Sequence, residues 1–163
     1  MCILNSVRQT PDKGRGVFAE ADVPAGTRIW HHVPGQYEVF DQAVLETRLA
    51  AGSRDEAVYL LTHIISMDEF PGFMINVLDE GGLINHSDEP NVIRKCLADQ
   101  YAGKPANSVS EVAAALSNSH FDLVAGRDIA AGEELLMDYN DEPDDPDYYE
   151  TACEKYQVDW EWL

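Results

Sequence analysis

The chain has 163 residues and a mass of 18.1 kDa, which suits a single domain that buries about 70% of the surface of its unfolded chain. Thirty acidic residues stand against eleven basic ones, a formal net charge of −19 at pH 7, and a field of this sign disfavours direct binding of nucleic acid or of an anionic membrane. The same field would attract a cationic partner, although simple solubility explains it equally well.

No stretch of the chain approaches the ~20 consecutive apolar residues of a membrane-spanning helix, and residues 1–5 lack the charged and apolar regions of a secretion signal. We therefore expect an intracellular protein, either cytoplasmic or nuclear. Three cysteines, Cys2, Cys96 and Cys153, are far apart and have neither disulfide-framework nor zinc-site spacing. We expect reduced thiols and no bound metal.

In chain order, the first half predicts short strands around two helices. β-Branched and aromatic residues next to glycine or proline turns predict four strands, over residues 3–8, 14–20, 27–33 and 73–78. Apolar residues at helical spacing predict helices over residues 41–50 and 55–67, with Asp41 and Asp55 as caps or first-turn acids.

The second half continues the alternation of strands and helices. Further strands are predicted over residues 92–97, 121–125 and 134–139. Helices are predicted over residues 110–116 and 147–158, and a polar surface excursion over 100–108. Many short strands with inserted helices indicate an α+β domain in which β-structure dominates.

A glycine turn near the start is the first of three motifs that could carry chemistry. Gly14-Arg15-Gly16 lets the backbone approach a ligand closely, because glycine has no side chain and tolerates unusual dihedral angles. The third glycine and the following helix of a dinucleotide-binding fingerprint are absent. On its own, a Gly-x-Gly turn between strands is more often purely structural.

The second and third motifs are polar segments next to apolar runs. Residues 85–91 read Asn-His-Ser-Asp-Glu-Pro-Asn, a sequence rich in side-chain donors and acceptors that is also typical of an ordinary turn. Residues 132–139 read Gly-Glu-Glu-Leu-Leu-Met-Asp-Tyr, which predicts a turn and then a strand that ends at Tyr139. A tyrosine there is usually a half-buried packing residue.

Taken in order, the three motifs resemble the signature segments of the SET-domain protein methyltransferases. That family carries Gly-x-Gly near the start, then Asn-His-Ser-Cys-x-Pro-Asn, then Gly-Glu-Glu-Leu-x-x-x-Asp-Tyr, and the similarity here covers roughly residues 3–140. The resemblance implies an α+β, β-dominated fold of small curved sheets with a C-terminal segment threaded beneath a loop as a pseudoknot. Residues 1–141 would form the SET domain, with a helical insert near 41–67, and the acidic and aromatic residues 142–163 would pack on it.

The resemblance also implies an enzyme that transfers a methyl group from S-adenosylmethionine to a lysine side chain. Tyr139 would be the catalytic residue, and Phe73 and Met137 would line the substrate channel. The residues that would bind the cofactor are Gly14, Arg15, Gly16, Asn85, His86 and Tyr139. Met137 stands where a phenylalanine or tyrosine commonly limits the number of methyl groups, and its thioether offers no hydroxyl to restrain the amine. This implies room for more than one methyl group.

The chain departs from the family pattern at Asp88, where a cysteine is usual. Residues 133–150 contain nine acids and no lysine or arginine, which suits a cationic, lysine-containing protein or peptide such as a histone tail, or else a solvated acidic tail. An inactive SET-fold module that binds basic peptides is the alternative to an enzyme. The sequence leaves the oligomeric state open.

Overall fold

The computed structural model describes residues 1–31, 33, 35–66, 70–96, 106–118, 121–141 and 145–158. Short strands and helices alternate through these ranges. None of the helices in them is both long and apolar enough to cross a bilayer.

Ten strands make up four small sheets within the described ranges. The strands are β1 (Asn5–Gln9), β2 (Arg15–Ala19), β3 (Arg28–His31), β4 (Tyr37–Phe40), β5 (Ile64–Ser66), β6 (Met74–Val77), β7 (Asn85–His86), β8 (Val92–Cys96), β9 (Phe121–Ala125) and β10 (Leu136–Met137). Their orders are β1-β2, β3-β9-β8, β4-β6-β5 and β10-β7. The first three sheets are antiparallel, whereas β10 and β7 pair in parallel.

The described residues also form four α-helices and two 3-10 helices. The α-helices are α1 (Gln42–Ala51), α2 (Arg54–Leu61), α3 (Val109–Asn118) and α4 (Asp147–Tyr156), and the 3-10 helices span Glu80–Leu83 and Tyr139–Asp141. Asp41 caps α1, as the sequence predicts, by accepting a hydrogen bond from the backbone N–H of Val44 at 2.9 Å. The predicted α+β fold of small sheets is therefore confirmed.

The second predicted helix is shorter than expected. It begins after Ser53, which forms a capping box with Glu56, and it ends at Leu61 rather than at residue 67. Ile64 and Ile65 then pair with β6 as strand β5, because β-branched side chains fit a pleated surface well. The change from helix to strand was not predicted, because the apolar residues here also have helical spacing.

The last predicted strand is also shorter than expected. Only Leu136–Met137 is strand, and Tyr139 begins a 3-10 helix instead of ending a strand. Strands β4 and β7 were not predicted from the sequence. Most of the predicted excursion over residues 100–108 lies outside the described residues.

Among the residues that the structure describes, the buried apolar side chains form three clusters. One joins β2 to the β3-β9-β8 sheet and contains Val17, Ile29 and Val92. A second joins α1 and α2 to α4, where Tyr149 is buried and its hydroxyl donates to the Leu61 carbonyl at 2.7 Å. The third packs α3 against the β4-β6-β5 sheet. The C-terminal helix thus packs on the helical insert.

A segment near residue 135 is held from both sides, as the predicted pseudoknot requires. On one side, the Ala19 N–H donates to the Glu133 carbonyl at 2.9 Å and the Leu135 N–H donates to the Val17 carbonyl at 2.8 Å. On the other side, β10 pairs with β7. The segment therefore lies between β2 and the 85–91 loop.

Asn91 fastens this segment to the loop. Its side chain is fully buried; Oδ1 accepts from the Leu136 N–H at 2.9 Å, and Nδ2 donates to the Glu134 carbonyl at 2.7 Å and to Glu133 Oε1 at 3.1 Å. A single amide thus satisfies two backbone groups of the inserted segment.

Replacement of Asn91 by alanine should lower the free energy of unfolding by about 3 kcal/mol, because it leaves buried backbone groups without partners. Urea unfolding with an unchanged m value would measure the loss. As a control, Asn140→Ala removes an exposed amide whose Nδ2 donates to the nearby Asp138 at 2.9 Å, and should cost no more than about 0.5 kcal/mol. Equal losses in the two variants would contradict the role given to Asn91.

Candidate functional site

A cleft of about 1300 Å³ lies where the three sequence motifs meet. Its walls come from the loop before β2, the 85–89 segment, the start of the second 3-10 helix and the end of α2. The structure brings five of the predicted site residues to these walls: Gly14, Arg15, Asn85, His86 and Tyr139.

Thr10 fixes the glycine turn that forms one wall. Its backbone N–H and its hydroxyl both donate to the Gly14 carbonyl, at 2.6 and 3.1 Å, and the hydroxyl oxygen accepts from the Lys13 N–H at 3.1 Å. Gly14 has a φ of 73°, a left-handed conformation that glycine adopts readily. The turn therefore presents exposed backbone to the cleft.

Gly16 does not line the cleft. It is buried, and a Cβ there would overlap Glu134 Oε1 and stand 2.8 Å from Asn85 Nδ2. The missing side chain lets Asn85 and Glu134 approach β2. Gly16 shapes the site from behind the wall, and its predicted contact with the cofactor stays a prediction.

Asn85 links the three motifs. Its Nδ2 donates to the Arg15 carbonyl at 3.1 Å and to Glu134 Oε1 at 2.8 Å. One side chain from the second motif therefore holds both the glycine turn and the C-terminal segment. These bonds fix the relative position of opposite walls of the cleft.

His86 orients the backbone of Tyr139. The Tyr139 N–H donates to His86 Nδ1 at 3.1 Å, so that nitrogen is an acceptor and the ring proton lies on Nε2, which faces Asp88 Oδ1 at 3.5 Å. The Lys13 ammonium donates to the His86 carbonyl at 2.7 Å. His86 is thereby held at both its ring and its backbone.

The Tyr139 hydroxyl donates its proton to the Ile84 carbonyl at 2.5 Å. Toward any further partner the phenol oxygen is then an acceptor. The ring is half-buried and lies 5.5 Å from the His86 ring, centroid to centroid. Tyr139 can therefore offer electron density to a partial positive charge in the cleft.

The two predicted channel residues are not among those that line this cleft, although Met137 pairs with His86 through the backbone. Phe73 packs against the apolar cluster of α3 and the β4-β6-β5 sheet, and Met137 packs against the cluster around β2. Both are partly buried. The structure does not bring them together, and their role in a substrate channel stays a prediction.

Sequence reasoning missed the wall that α2 contributes. Tyr59, Thr62 and His63 line the cleft, and the rings of Tyr59 and His63 stack with their centroids 4.0 Å apart. The spacing of four residues between two aromatic side chains on a predicted helix was the available signal. No metal cluster of three or more histidine, cysteine or acidic side chains is found in the described ranges.

Residues 14–140 match the model of the SET domain. The chain belongs to the SET-domain family. Over 139 residues it is 31% identical to N-lysine methyltransferase KMT5A-A of Danio rerio, a match that covers 83% of this chain and 35% of the relative. The SET chain thus spans about a third of the length of that relative.

Solved structures of SET proteins share the fold. The structure of KRYPTONITE in complex with mCHG DNA and SAH matches with a TM-score of 0.53 and 21% identity, over 89% of this chain and 25% of that one. Autoinhibited ctPRC2 bound to S-adenosylmethionine matches with a TM-score of 0.59 and 19% identity, over 96% of this chain and 17% of that one. The SET fold predicted from the motifs is therefore confirmed.

Glu133 connects Asn91 to Arg127 behind the site. The Arg127 guanidinium lies 2.5 Å from Glu133 Oε1, and the Ala130 N–H donates to Oε2 at 3.0 Å. The hydrogen bond from Arg127, followed by those from Ala130 and Asn91, lowers the pKa of Glu133 to about 2. The carboxylate is therefore ionised throughout the neutral range.

This lowered pKa makes the contribution of Glu133 to stability depend on pH. The contribution is complete above the ordinary value of 4.5 and is lost as the pH falls toward about 2. We expect Glu133→Gln to lose about 1 kcal/mol of unfolding free energy at pH 7, since the ion pair is partly exposed. The difference from wild type should shrink in urea unfolding below pH 4.5.

Arg127→Gln is the matched control for that titration. Its loss should overlap with that of Glu133→Gln, so the double variant should be less destabilised than the sum of the two single variants. A difference between wild type and Glu133→Gln that stays constant from pH 7 to pH 2.5 would contradict the assignment.

Proposed function

We propose that this SET domain transfers a methyl group from S-adenosylmethionine to the side-chain amine of a lysine in a basic protein or peptide. The observation that carries the proposal is the meeting of the glycine turn, Asn85, His86 and Tyr139 on one cleft. Membership of the SET family and the identity with a relative named as an N-lysine methyltransferase support it.

The residues of the cleft fit the cofactor. Ligand pockets commonly enclose about 300–1,000 Å³, so a cleft of about 1300 Å³ has room for the cofactor and part of a substrate. Lys13 and Arg15 supply positive charge suited to a carboxylate, and Gly14 supplies exposed backbone. When bound, S-adenosylmethionine supplies a methyl group on a sulfonium.

Tyr139 acts by alignment and charge stabilisation. The Tyr139 hydroxyl keeps its proton in a hydrogen bond to the Ile84 carbonyl, which does not suit it to the role of a general base. Its oxygen, which already donates its proton to Ile84, can accept from the reacting amine and stabilise partial positive charge. Holding the reactants in line can lower the barrier by about 7–11 kcal/mol in favourable cases.

His86 and Asn85 act on the geometry of the reaction. His86 holds the backbone of Tyr139 through Nδ1, so the position of the phenol oxygen depends on this hydrogen bond. Asn85 holds the glycine turn, so it fixes the wall where the cofactor would rest. The lysine must arrive without its proton, and a channel that excludes water favours the neutral amine.

The substrate partner should be cationic. The net charge of −19 and the acids of residues 133–150 favour encounter with a lysine-rich segment, such as a histone-like tail. The same field disfavours direct contact with nucleic acid or membrane. We propose an intracellular setting, cytoplasmic or nuclear, for this encounter.

Replacement of Tyr139 by phenylalanine should lower methyl transfer by about 100-fold, a typical cost of losing one polar group that stabilises a transition state. Binding of S-adenosylhomocysteine, measured by calorimetry, should change less than threefold. The matched control is Tyr148→Phe, which removes a hydroxyl that donates to the Gly72 carbonyl at 3.0 Å and should leave transfer unchanged.

Two outcomes would speak against this mechanism. Wild-type turnover in Tyr139→Phe would remove Tyr139 from the reaction. If S-adenosylmethionine raises the melting temperature of the wild type but no methyl group appears on any of a panel of basic peptides, the protein is the binding module instead.

The acidic field should make activity sensitive to salt. We expect kcat/KM on a lysine-rich peptide to fall about tenfold between 50 and 300 mM NaCl, because screening shortens the reach of the field. A peptide of the same length with a single lysine and otherwise neutral residues is the control and should respond much less. An equal response of the two peptides would assign the acids to solubility.

A further inference from the structure

The proposed function leaves one space unexplained, a second cavity of about 520 Å³ that shares part of its wall with the cleft. Beyond the shared wall, this side cavity is bounded by Val7 of β1 and by residues 76–80. The side chains of Val7 and Leu78 are 38% and 53% exposed. Exposed apolar side chains around a cavity are typical of a surface that another molecule covers.

Asn76 brings an unsatisfied hydrogen-bond acceptor to the side cavity. It lies in β6, the central strand of its sheet, opposite Glu38 of β4, and only 7% of it is exposed. Its Nδ2 donates to Glu38 Oε2 at 3.2 Å, and a carboxylate can only accept, so this bond fixes the orientation of the amide. Within the described part of the chain, no donor meets Oδ1. Buried polar atoms are nearly always hydrogen-bonded, so Oδ1 requires a donor from outside the chain.

The surroundings of this acceptor favour a donor that is positively charged. The Glu38 carboxylate lies behind the amide and polarises it, which strengthens Oδ1 as an acceptor. Glu80 adds an exposed carboxylate to the wall of the side cavity. Arg15 also lines this wall, but it is the residue whose charge suits the cofactor carboxylate, so a bound cofactor compensates it.

An arginine side chain combines the features that the side cavity selects. Val7 and Leu78 offer apolar walls to its methylene groups, because long basic side chains pack their stems on apolar surface. Its planar guanidinium carries several N–H donors in fixed directions. One of them suits Asn76 Oδ1, and others suit the carboxylate of Glu80.

We propose that the side cavity binds an arginine of the substrate that is close in sequence to the methylated lysine, with its guanidinium on Asn76 Oδ1 and Glu80. This inference rests on the proposed function, since it names a second feature of the same substrate. The shared wall of the two spaces is the reason that the arginine and the lysine lie near each other. Asn76 is then a specificity-determining residue, whereas the net charge alone would accept any basic segment.

Peptide binding tests the assignment without requiring methyl transfer. The probes are short, otherwise neutral peptides in which norleucine replaces the target lysine and a single arginine occupies, in turn, each of the three positions on either side. Calorimetry with S-adenosylhomocysteine present gives the affinity of each peptide. At one of these positions, wild type should bind arginine about tenfold more tightly than norleucine, as expected for a hydrogen bond to a charged group.

Two variants and a matched control connect this preference to the side cavity. Asn76→Leu removes the acceptor, keeps a side chain of similar size, and should reduce the preference to within about twofold. Glu80→Gln, at an exposed position, should reduce it about threefold. Asn5→Leu is the same substitution on β1, where the amide donates to the Ile3 carbonyl at 3.3 Å, and should keep the wild-type preference. Thermal unfolding verifies that each variant is folded.

The outcomes separate this inference from the proposed function. Equal affinity for arginine and norleucine at every position would overturn the inference and leave Oδ1 to a bound water. An unchanged preference in folded Asn76→Leu, or in Glu80→Gln if the first variant does not fold, would overturn it as well. Arginine-dependent binding without methyl transfer to the matching lysine peptide would overturn the proposed function and confirm the side cavity.

Discussion

The buried amide of Asn91 is the interaction on which the site depends. The segment near Leu136 has neighbours on two sides but only two residues of regular strand, so it cannot satisfy its backbone by strand pairing alone. Asn91 supplies the missing partners, and its own burial leaves no water to replace them. Without this amide, the residues that precede Tyr139 would be held beside the 85–91 loop by backbone contacts alone.

A second constraint is the close packing around Gly16. Gly16, Asn85 and Glu134 meet where a side chain on residue 16 would have no space. Each of the three belongs to a different motif, so the close approach explains why the motifs occur together. The cleft is therefore the product of two contacts, one at Asn91 and one at Gly16, that position polar groups from distant parts of the chain.

Local patterns predicted most of the elements but little of their assembly. The cap at Asp41 could be predicted because capping depends only on residues within three positions of one another. The strands β7 and β10 have two residues each and lie some fifty positions apart in the sequence. Strands this short show no periodicity, so their pairing could not be predicted. The end of α2 at Leu61 was hidden because Ile64 and Ile65 satisfy a helical pattern and a strand equally. Resemblance of the motifs, rather than periodicity, brought His86 and Tyr139 together.

The position of α2 has a consequence for the energetics of the whole molecule. Tyr59 of this helix and His63, two residues after its end, line the cleft, whereas the opposite face buries Leu61, whose carbonyl accepts from Tyr149 of α4. A ligand that binds only when α2 is in place must therefore stabilise the docking of α4. The docking of α4 must in turn strengthen ligand binding by the same free energy. The C-terminal helix and the cleft are thermodynamically linked, although α4 contributes no side chain to the wall of the cleft.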